Sequence, residues 1–268
     1  MKLLELKKQE RKRMSKRTLF VGDVHGCYTE LKGLLEMANF KPDSERLFFV
    51  GDLINRGPKP LEVLKLAHRL GASCVLGNHE RSFLQHLKKG SQSSNSFSKL
   101  KEEMGDHMPF WEEWLQSLPL FVSEGEETEP DSFLVVHAGL APGISPQDTD
   151  PHILTNLRTW DPVDQRPGDE NHPAWYTFYQ KSRTIIFGHW AAGGVVMRPN
   201  AIGLDSGCVY GGSLTALSWL DRILYHFPAQ SSCAPMENIK ILRRTFRGTF
   251  RGTFRIRRTH QRRRSFTI

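Results

Sequence analysis

The sequence predicts an α/β fold, a sheet threaded by right-handed crossovers, and three observations predict it. Short apolar runs alternate with stretches of helical periodicity over the first third of the chain. Residue types that ligate metals stand directly after five of the apolar runs. The composition, 38% hydrophobic and 25% charged over 268 residues, suits one domain with a full-sized core, or a core plus tails.

Thr18–Val21 reads as the first buried strand. Tyr28–Phe40 follows with Leu31, Leu34, Leu35 and Ala38 on one face of a helix. Arg46–Val50 is a second strand, Leu61–Leu70 a second helix and Ser73–Leu76 a third strand. Strand–helix–strand–helix–strand is the order of a sheet with right-handed crossovers. Lys88–Lys99 is Ser-rich and reads as a mobile loop. It leads into Phe110–Leu118, an aromatic helix stopped by Pro119, and Glu124–Asp131 reads as an acidic hairpin tip or loop. Phe133–Val136, Thr184–Phe187 and Ala201–Leu204 are further strands, with loops and a short helix expected over 140–175. Leu214–Trp219 and Ile223–Phe227, joined through Asp221-Arg222, read as a closing hairpin.

The net charge of +8 divides unevenly. Residues 1–17 carry eight Lys/Arg and two Glu, residues 240–268 carry eleven Lys/Arg and no acid, and 18–239 therefore sum to −9. The expected organisation is a basic leader over 1–17, a domain over 18–228 and a basic tail over 229–268. Attraction for polyanions belongs to the tails alone. The tail repeats Thr245-Phe-Arg-Gly, Thr249-Phe-Arg-Gly and Thr253-Phe-Arg-Ile, a pattern too poor in aliphatic residues to build a core. It is expected to be disordered, with RNA as its candidate partner.

Four cysteines form no C-x-x-C pair, which argues against a zinc knuckle or a redox dithiol. No apolar run approaches the roughly 20 residues of a membrane span. The first 17 residues lack the apolar region and cleavage site of a secretory signal, so a cytoplasmic protein without a membrane partner is expected.

The chemistry gathers at the five turns. Asp23 and His25 lie in Gly22-Asp-Val-His-Gly26, Asp52 in Gly51-Asp-Leu-Ile-Asn-Arg-Gly57, and Asn78 with His79 in Gly77-Asn-His-Glu80. His137 opens His137-Ala-Gly139, and His189 lies in Gly188-His-Trp190. Strand ends of an open α/β sheet share one crevice, so these groups can converge from distant positions. Oxygen donors mixed with imidazoles and no thiolate suit Mn²⁺, Fe or Zn²⁺ rather than Ca²⁺. Asp52, in the middle of the first three turns, is the natural bridge between two cations, an arrangement suited to in-line displacement at phosphorus.

Together these turns resemble the calcineurin-like metallophosphoesterases and, more narrowly, the phosphoprotein phosphatase superfamily. His137-Ala-Gly, Phe187-Gly-His-Trp and Leu204-Asp-Ser-Gly-Cys-Val-Tyr-Gly-Gly-Ser-Leu-Thr resemble the symmetrical bis(5′-nucleosyl)-tetraphosphatases within it. The resemblance covers residues 18–226. It implies a sandwich of central β-sheets flanked by helices, with a dimetal site at the strand C-terminal ends. It implies one cation on Asp23, His25 and Asp52, and a second on Asp52, Asn78, His137 and His189. Mn²⁺ is the first choice, with Co²⁺, Fe and Zn²⁺ as alternatives. His79 is implied as the general acid, and Arg56 and Arg158 as grips on phosphate oxygens.

Two positions depart from the protein-phosphatase pattern: Asn55 stands where those enzymes usually have Asp, and Ala138 where they usually have Gly. An amide orients a histidine but supplies no charge, and both departures point towards the nucleotide branch. The expected substrate is a dinucleoside polyphosphate, diadenosine tetraphosphate giving two ADP, or a similarly capped RNA end. A protein serine/threonine phosphatase is the alternative, and an RNA-binding protein acting through its tail is a third reading. Trp160, Trp175, Trp190 and Tyr210 are candidates to stack a base, against the plainer reading of core packing. Oligomeric state is left open.

Overall fold

Side chains alternate across a strand with a period of two, and that alternation sorts the apolar residues of this chain into three layers of core. The computed structural model describes residues 14–89, 95–234 and 255–258. In chain order these form β1 (Thr18–Val21), α1 (Tyr28–Met37), β2 (Arg46–Phe49), α2 (Pro60–Arg69), β3 (Ser73–Cys74), α3 (Asn78–Lys89), α4 (Asn95–Met104) and α5 (Met108–Gln116). Then come β4 (Phe121–Glu124), β5 (Phe133–Val136), α6 (Pro151–Asn156), β6 (Trp160–Asp161), β7 (Arg166–Pro167), β8 (Thr184–Phe187), β9 (Val196–Met197) and β10 (Ala201–Gly203). The last strands are β11 (Ser213–Ser218), β12 (Ile223–Pro228) and β13 (Arg255–Arg258).

One sheet has the order β13-β12-β11-β1-β2-β3 and the other β4-β5-β8-β10-β9, with β6 and β7 as a separate small ribbon. Along β1 and β2, Leu19, Val21, Leu47 and Phe49 join one apolar cluster with α1 and α2, while Phe20 and Phe48 join another. That second cluster also takes Phe133 and Val135 of β5 and Ile186 of β8, so it lies between the two sheets. Leu134, Val136, Ile185 and Phe187 turn the other way, onto α6 and the segment around Trp160 and Trp175. The result is a β-sandwich with a helical layer over the six-stranded sheet. Polar clamps also cross between the sheets: Arg46 grips Glu124 with two bonds of 2.8 and 2.6 Å, and the Trp219 indole donates to Asp131 O at 3.0 Å.

The structure differs from the sequence reading at several places. Within Lys88–Lys99, expected as a loop, Lys88 and Lys89 end one helix and residues 95–99 begin another, Asn95–Met104, because Phe97, Leu100 and Met104 fall on one face and are buried despite the serines around them. Residues 90–94 of that stretch lie outside the described residues. Arg17, counted with the leader, is tied to the domain: its guanidinium donates to Glu45, Asp221, Ser218, Tyr225 and the Ala38 carbonyl. Arg255–Arg258, counted with the disordered tail, pairs in parallel with β12 as an edge strand. The residues just past 228 stay on the domain through Ala229 N to Gly212 O and Cys233 N to Val209 O, each 2.9 Å. The expectations for residues 1–13, 235–254 and 259–268 lie outside the described residues.

Candidate metal centre

The turn after β2 holds the centre together, and Glu80 holds the turn. Glu80 is fully buried, and its carboxylate accepts four backbone N–H groups: Asp52 at 2.9 Å, Leu53 at 2.8 Å, Ile54 at 3.2 Å and Gly77 at 3.1 Å. Backbone donors in a curled loop form an anion-binding concavity, here filled from within the fold. Burial and the neighbouring Asp52 push the Glu80 carboxyl up to about 7. The same turn anchors its neighbour after β1, since Asp52 O accepts from Val24 and His25 and Leu53 O accepts from Gly26. Among the described residues eight non-glycines have positive φ, and five of them (His25, Asp52, Asn55, Arg56 and His189) belong to these turns. Such conformations cost of order 1–3 kcal/mol each and persist where surrounding bonds enforce them.

Asp52 is the hub. Its Oδ1 accepts from His79 N at 3.0 Å, and its Oδ2 faces Nε2 of His137, His25 and His79 at 3.4, 3.6 and 3.9 Å. Two of these rings are oriented by carbonyls behind them, His25 Nδ1 by Ile54 O at 3.1 Å and His137 Nδ1 by Val50 O at 2.8 Å. A donated Nδ1–H makes Nε2 the inward-facing nitrogen, whose lone pair in the neutral ring is the one a cation requires. His189 is reversed: Nε2 meets Asn156 O at 3.1 Å and Nδ1 points inward. The Asn78 Oδ1 sits between, 2.9 Å from His137 Nε2 and 3.0 Å from His189 Nδ1. Two groups therefore offer ligand atoms within 4.8 Å of one another, His25–Asp52–His79 and Asp52–His137–His189. Asp23 is buried beside them, with its carboxylate taking the His189 N–H at 3.0 and 3.1 Å, and it falls in neither group.

The electrostatics fit a divalent cation. Burial opposes charging His137, yet Asp52 and Asp23 lift that ring to about 10. Burial likewise opposes ionisation of Asp52, but His137, His79 and His25 hold it well below the usual carboxylate range. Asp23 is pushed well up by burial and by Asp205. Burial drives His25 down to about 3 and His189 well down. Buried carboxylates converging on imidazoles leave protons doing the work of positive charge, a place where a metal ion substitutes directly.

His79 is built differently from the other rings. Asn55 Oδ1 accepts from Arg56 N at 2.8 Å and from the Ser96 hydroxyl at 2.7 Å, which fixes its amide and turns Nδ2 towards His79 Nδ1 at 2.7 Å. A ring whose Nδ1 accepts carries its neutral-state proton on Nε2, so the atom facing Asp52 is a donor and not a free ligand lone pair. Arg56 stacks its guanidinium over Tyr210, 5.4 Å from the ring centre, with one nitrogen 3.2 Å from His25 Nε2. Arg56 and Arg158 line one cavity of about 520 Å³ together with Asp52, Asn78, His79 and His189.

Of the four aromatics considered for stacking, Trp160 and Trp175 are 4% and 1% exposed and belong to the outer core of the five-stranded sheet. Trp190 and Tyr210 line the cavity. Three site residues escaped the sequence reading. Glu80 and Asp205 lie inside motifs quoted for their neighbours, Gly77-Asn-His-Glu and Leu204-Asp-Ser-Gly, and that adjacency was the available signal. Ser96 lies in the stretch read as a loop.

A fold with histidines and carboxylates assembled at the strand ends of a β-sandwich defines a class, and this chain belongs to the calcineurin-like phosphoesterases, whose family model matches residues 16–193. Its relatives narrow the comparison. The chain is 32% identical to a protein of Psychromonas ingrahamii and 30% identical to one of Aromatoleum aromaticum, each named symmetrical bis(5′-nucleosyl)-tetraphosphatase. These matches cover 80% and 78% of this chain and 97% and 96% of the relatives. A crystal structure of a proposed diadenosine tetraphosphatase superposes with a TM-score of 0.71 at 33% identity, over 80% of this chain and 94% of that one. A protein serine/threonine phosphatase of Saccharomyces cerevisiae, TM-score 0.54 at 18% identity, shares the fold.

Proposed function

We propose that this protein is a dimetal phosphohydrolase that cleaves dinucleoside polyphosphates, converting diadenosine tetraphosphate into two ADP, and that acts similarly on related nucleoside polyphosphate ends. The observation that carries the reading is the cavity in which Asp52 faces three imidazoles while Arg56 and Arg158 line the same walls. The names of the relatives supply the substrate class.

His25 and Asp52, with Asp23 beside them, are the residues for one cation. Asp52, Asn78, His137 and His189 are the residues for the other. When bound, two divalent ions, Mn²⁺ by preference, polarise phosphoryl oxygens and lower the pKa of an attacking water. Arg56 and Arg158 bind the negative charge of the polyphosphate through planar N–H donors. His79 holds a proton at Nε2 for the leaving oxygen, in the tautomer that the Asn55 amide selects. A neutral amide behind that ring orients it without adding charge, in keeping with a phosphate leaving group that needs little help from a strong acid.

The test is to incubate the purified protein with diadenosine tetraphosphate and Mn²⁺ and to separate the products by chromatography. Two ADP are expected. AMP plus ATP, or no cleavage beside rapid dephosphorylation of a phosphoserine peptide, would overturn the assignment.

A further inference from the structure

The metal cavity opens into a second one. A cavity of about 640 Å³ shares Asn78, Arg158, His189, Trp190 and Ala192 with it, then runs past α6 to the loop that carries Asp169 and Glu170. The two share a continuous wall, because His189 bonds the Asn156 carbonyl at the end of α6 on the side of the second cavity. Their chemistry differs. The metal cavity sets two guanidiniums beside Asp52 and Asp205, whereas the second has Arg158 on the shared wall and, away from that wall, the carboxylates of Asp169 and Glu170.

A polyphosphate is favoured where cations and two guanidiniums offset Asp52 and Asp205, and disfavoured beside Asp169 and Glu170. The second cavity therefore suits a group without negative charge that offers hydrogen-bond donors. A ribose diol and a base amino group meet both conditions, and carboxylates are the usual acceptors of ribose hydroxyls. The carboxylate of Asp169 is held by Asn171 N at 2.9 Å and His172 Nδ1 at 2.8 Å, so it does not swing freely. Trp190 lines both cavities, half-buried, with Gly193 close against its ring. The volume is ample for a nucleoside, within the few hundred to about 1,000 Å³ of small-molecule sites.

We propose that this second cavity seats the nucleoside of one arm of the substrate, with Trp190 as the stacking platform and Asp169 and Glu170 as acceptors for the ribose or base. This deepens the tetraphosphatase reading and rests on it for the identity of the arm. It assigns selectivity to a place separate from the metal ligands.

The experiment compares ADP with inorganic pyrophosphate, which share the phosphates and differ by the nucleoside, by titration calorimetry on the Mn²⁺-loaded full chain. ADP is expected to bind at least about tenfold more tightly than pyrophosphate, the scale of one base stacked on an aromatic ring. Trp190→Ala is expected to remove that advantage, Trp190→Phe to keep most of it, and the double change Asp169→Asn with Glu170→Gln to reduce it about threefold. Equal affinities in the wild type, or an advantage that survives Trp190→Ala, would overturn the seat. Preference for ADP in a protein that leaves diadenosine tetraphosphate intact would keep the seat and remove the tetraphosphatase reading. Cleavage to two ADP without any such preference would do the reverse.

Discussion

The two sheets contribute to the centre in different ways. The turns of the six-stranded sheet, which carry Asp23, His25, Asp52 and Asn78, are locked by backbone bonds: four N–H groups on Glu80, and the carbonyls of Asp52 and Leu53 on the neighbouring turn. The five-stranded sheet supplies His137 and His189, and these reach across the sandwich. His137 bonds Val50 O of the opposite sheet, and His189 docks its backbone N–H on Asp23. One half of the centre is organised within its own loops. The other adds contacts with the first to bonds of its own, Gly188 N on His137 O at 2.8 Å and His189 Nε2 on Asn156 O at 3.1 Å. Preorganisation is therefore local on one side and partly a property of docking on the other.

The largest test of that comparison is the residue both halves share. Asp52→Asn is expected to reduce turnover to background and to lower the metal content measured by mass spectrometry, because the amide cannot charge-balance two cations. Near-normal turnover in that variant would end the two-metal account. His79→Ala should lower kcat by about 10²–10⁴-fold with the metal content kept, the usual range for losing a general acid. A matching loss of metal would make His79 a ligand instead.

Glu80→Gln sharpens the contrast. It removes the carboxylate from the locked half without replacing any candidate ligand, and should weaken cation affinity by about 10–100-fold. An affinity unchanged in calorimetry would mean that the turn keeps its shape unaided. The docked half is read by pH. In the cation-free protein His137 is lifted to about 10, so the ring is protonated at neutral pH and a cation must displace that proton. Affinity should rise about tenfold per pH unit from 7 towards 9 and level off near 10. The sign for the cation-free fold is opposite: a raised histidine contributes its full stabilisation below 6.5 and loses it as pH rises through about 10. Flat affinity between pH 7 and 9 would place the proton elsewhere. The smallest effect is expected from deleting residues 240–268, which removes the edge strand β13 and no ligand. Dinucleotide turnover should stay within about twofold, while any binding of RNA at low salt should fall steeply.

Much of this was legible in the sequence because it is local. The β1, β2, β5 and β8 strands are apolar runs, and a candidate ligand stands one to three residues past the end of each. What escaped notice depends on three-dimensional closure. The role of Glu80 exists only once the Gly51–Ile54 loop curls at positive φ and aims its N–H groups inward. In Asn95–Met104 the helical spacing of Phe97, Leu100 and Met104 is present but diluted by polar neighbours. The pairing of Arg255–Arg258 with β12 joins segments about thirty residues apart, and no periodicity in the tail announces it. Trp160 and Trp175 were ambiguous for the opposite reason, since an aromatic side chain serves a core and a base equally well and only its burial decides.

The division of the candidate ligands between two sheets has a thermodynamic consequence. An ion held jointly by Asp52 and by His137 and His189 binds the docked sandwich and not the separated layers. Ligation then acts as a fastener whose strength follows ion supply: at a free concentration about 100 times the dissociation constant it adds about 2.7 kcal/mol to the native state. Chelation should accordingly lower the melting temperature as well as the rate, so that the same ions that equip the protein for hydrolysis also govern how long it survives.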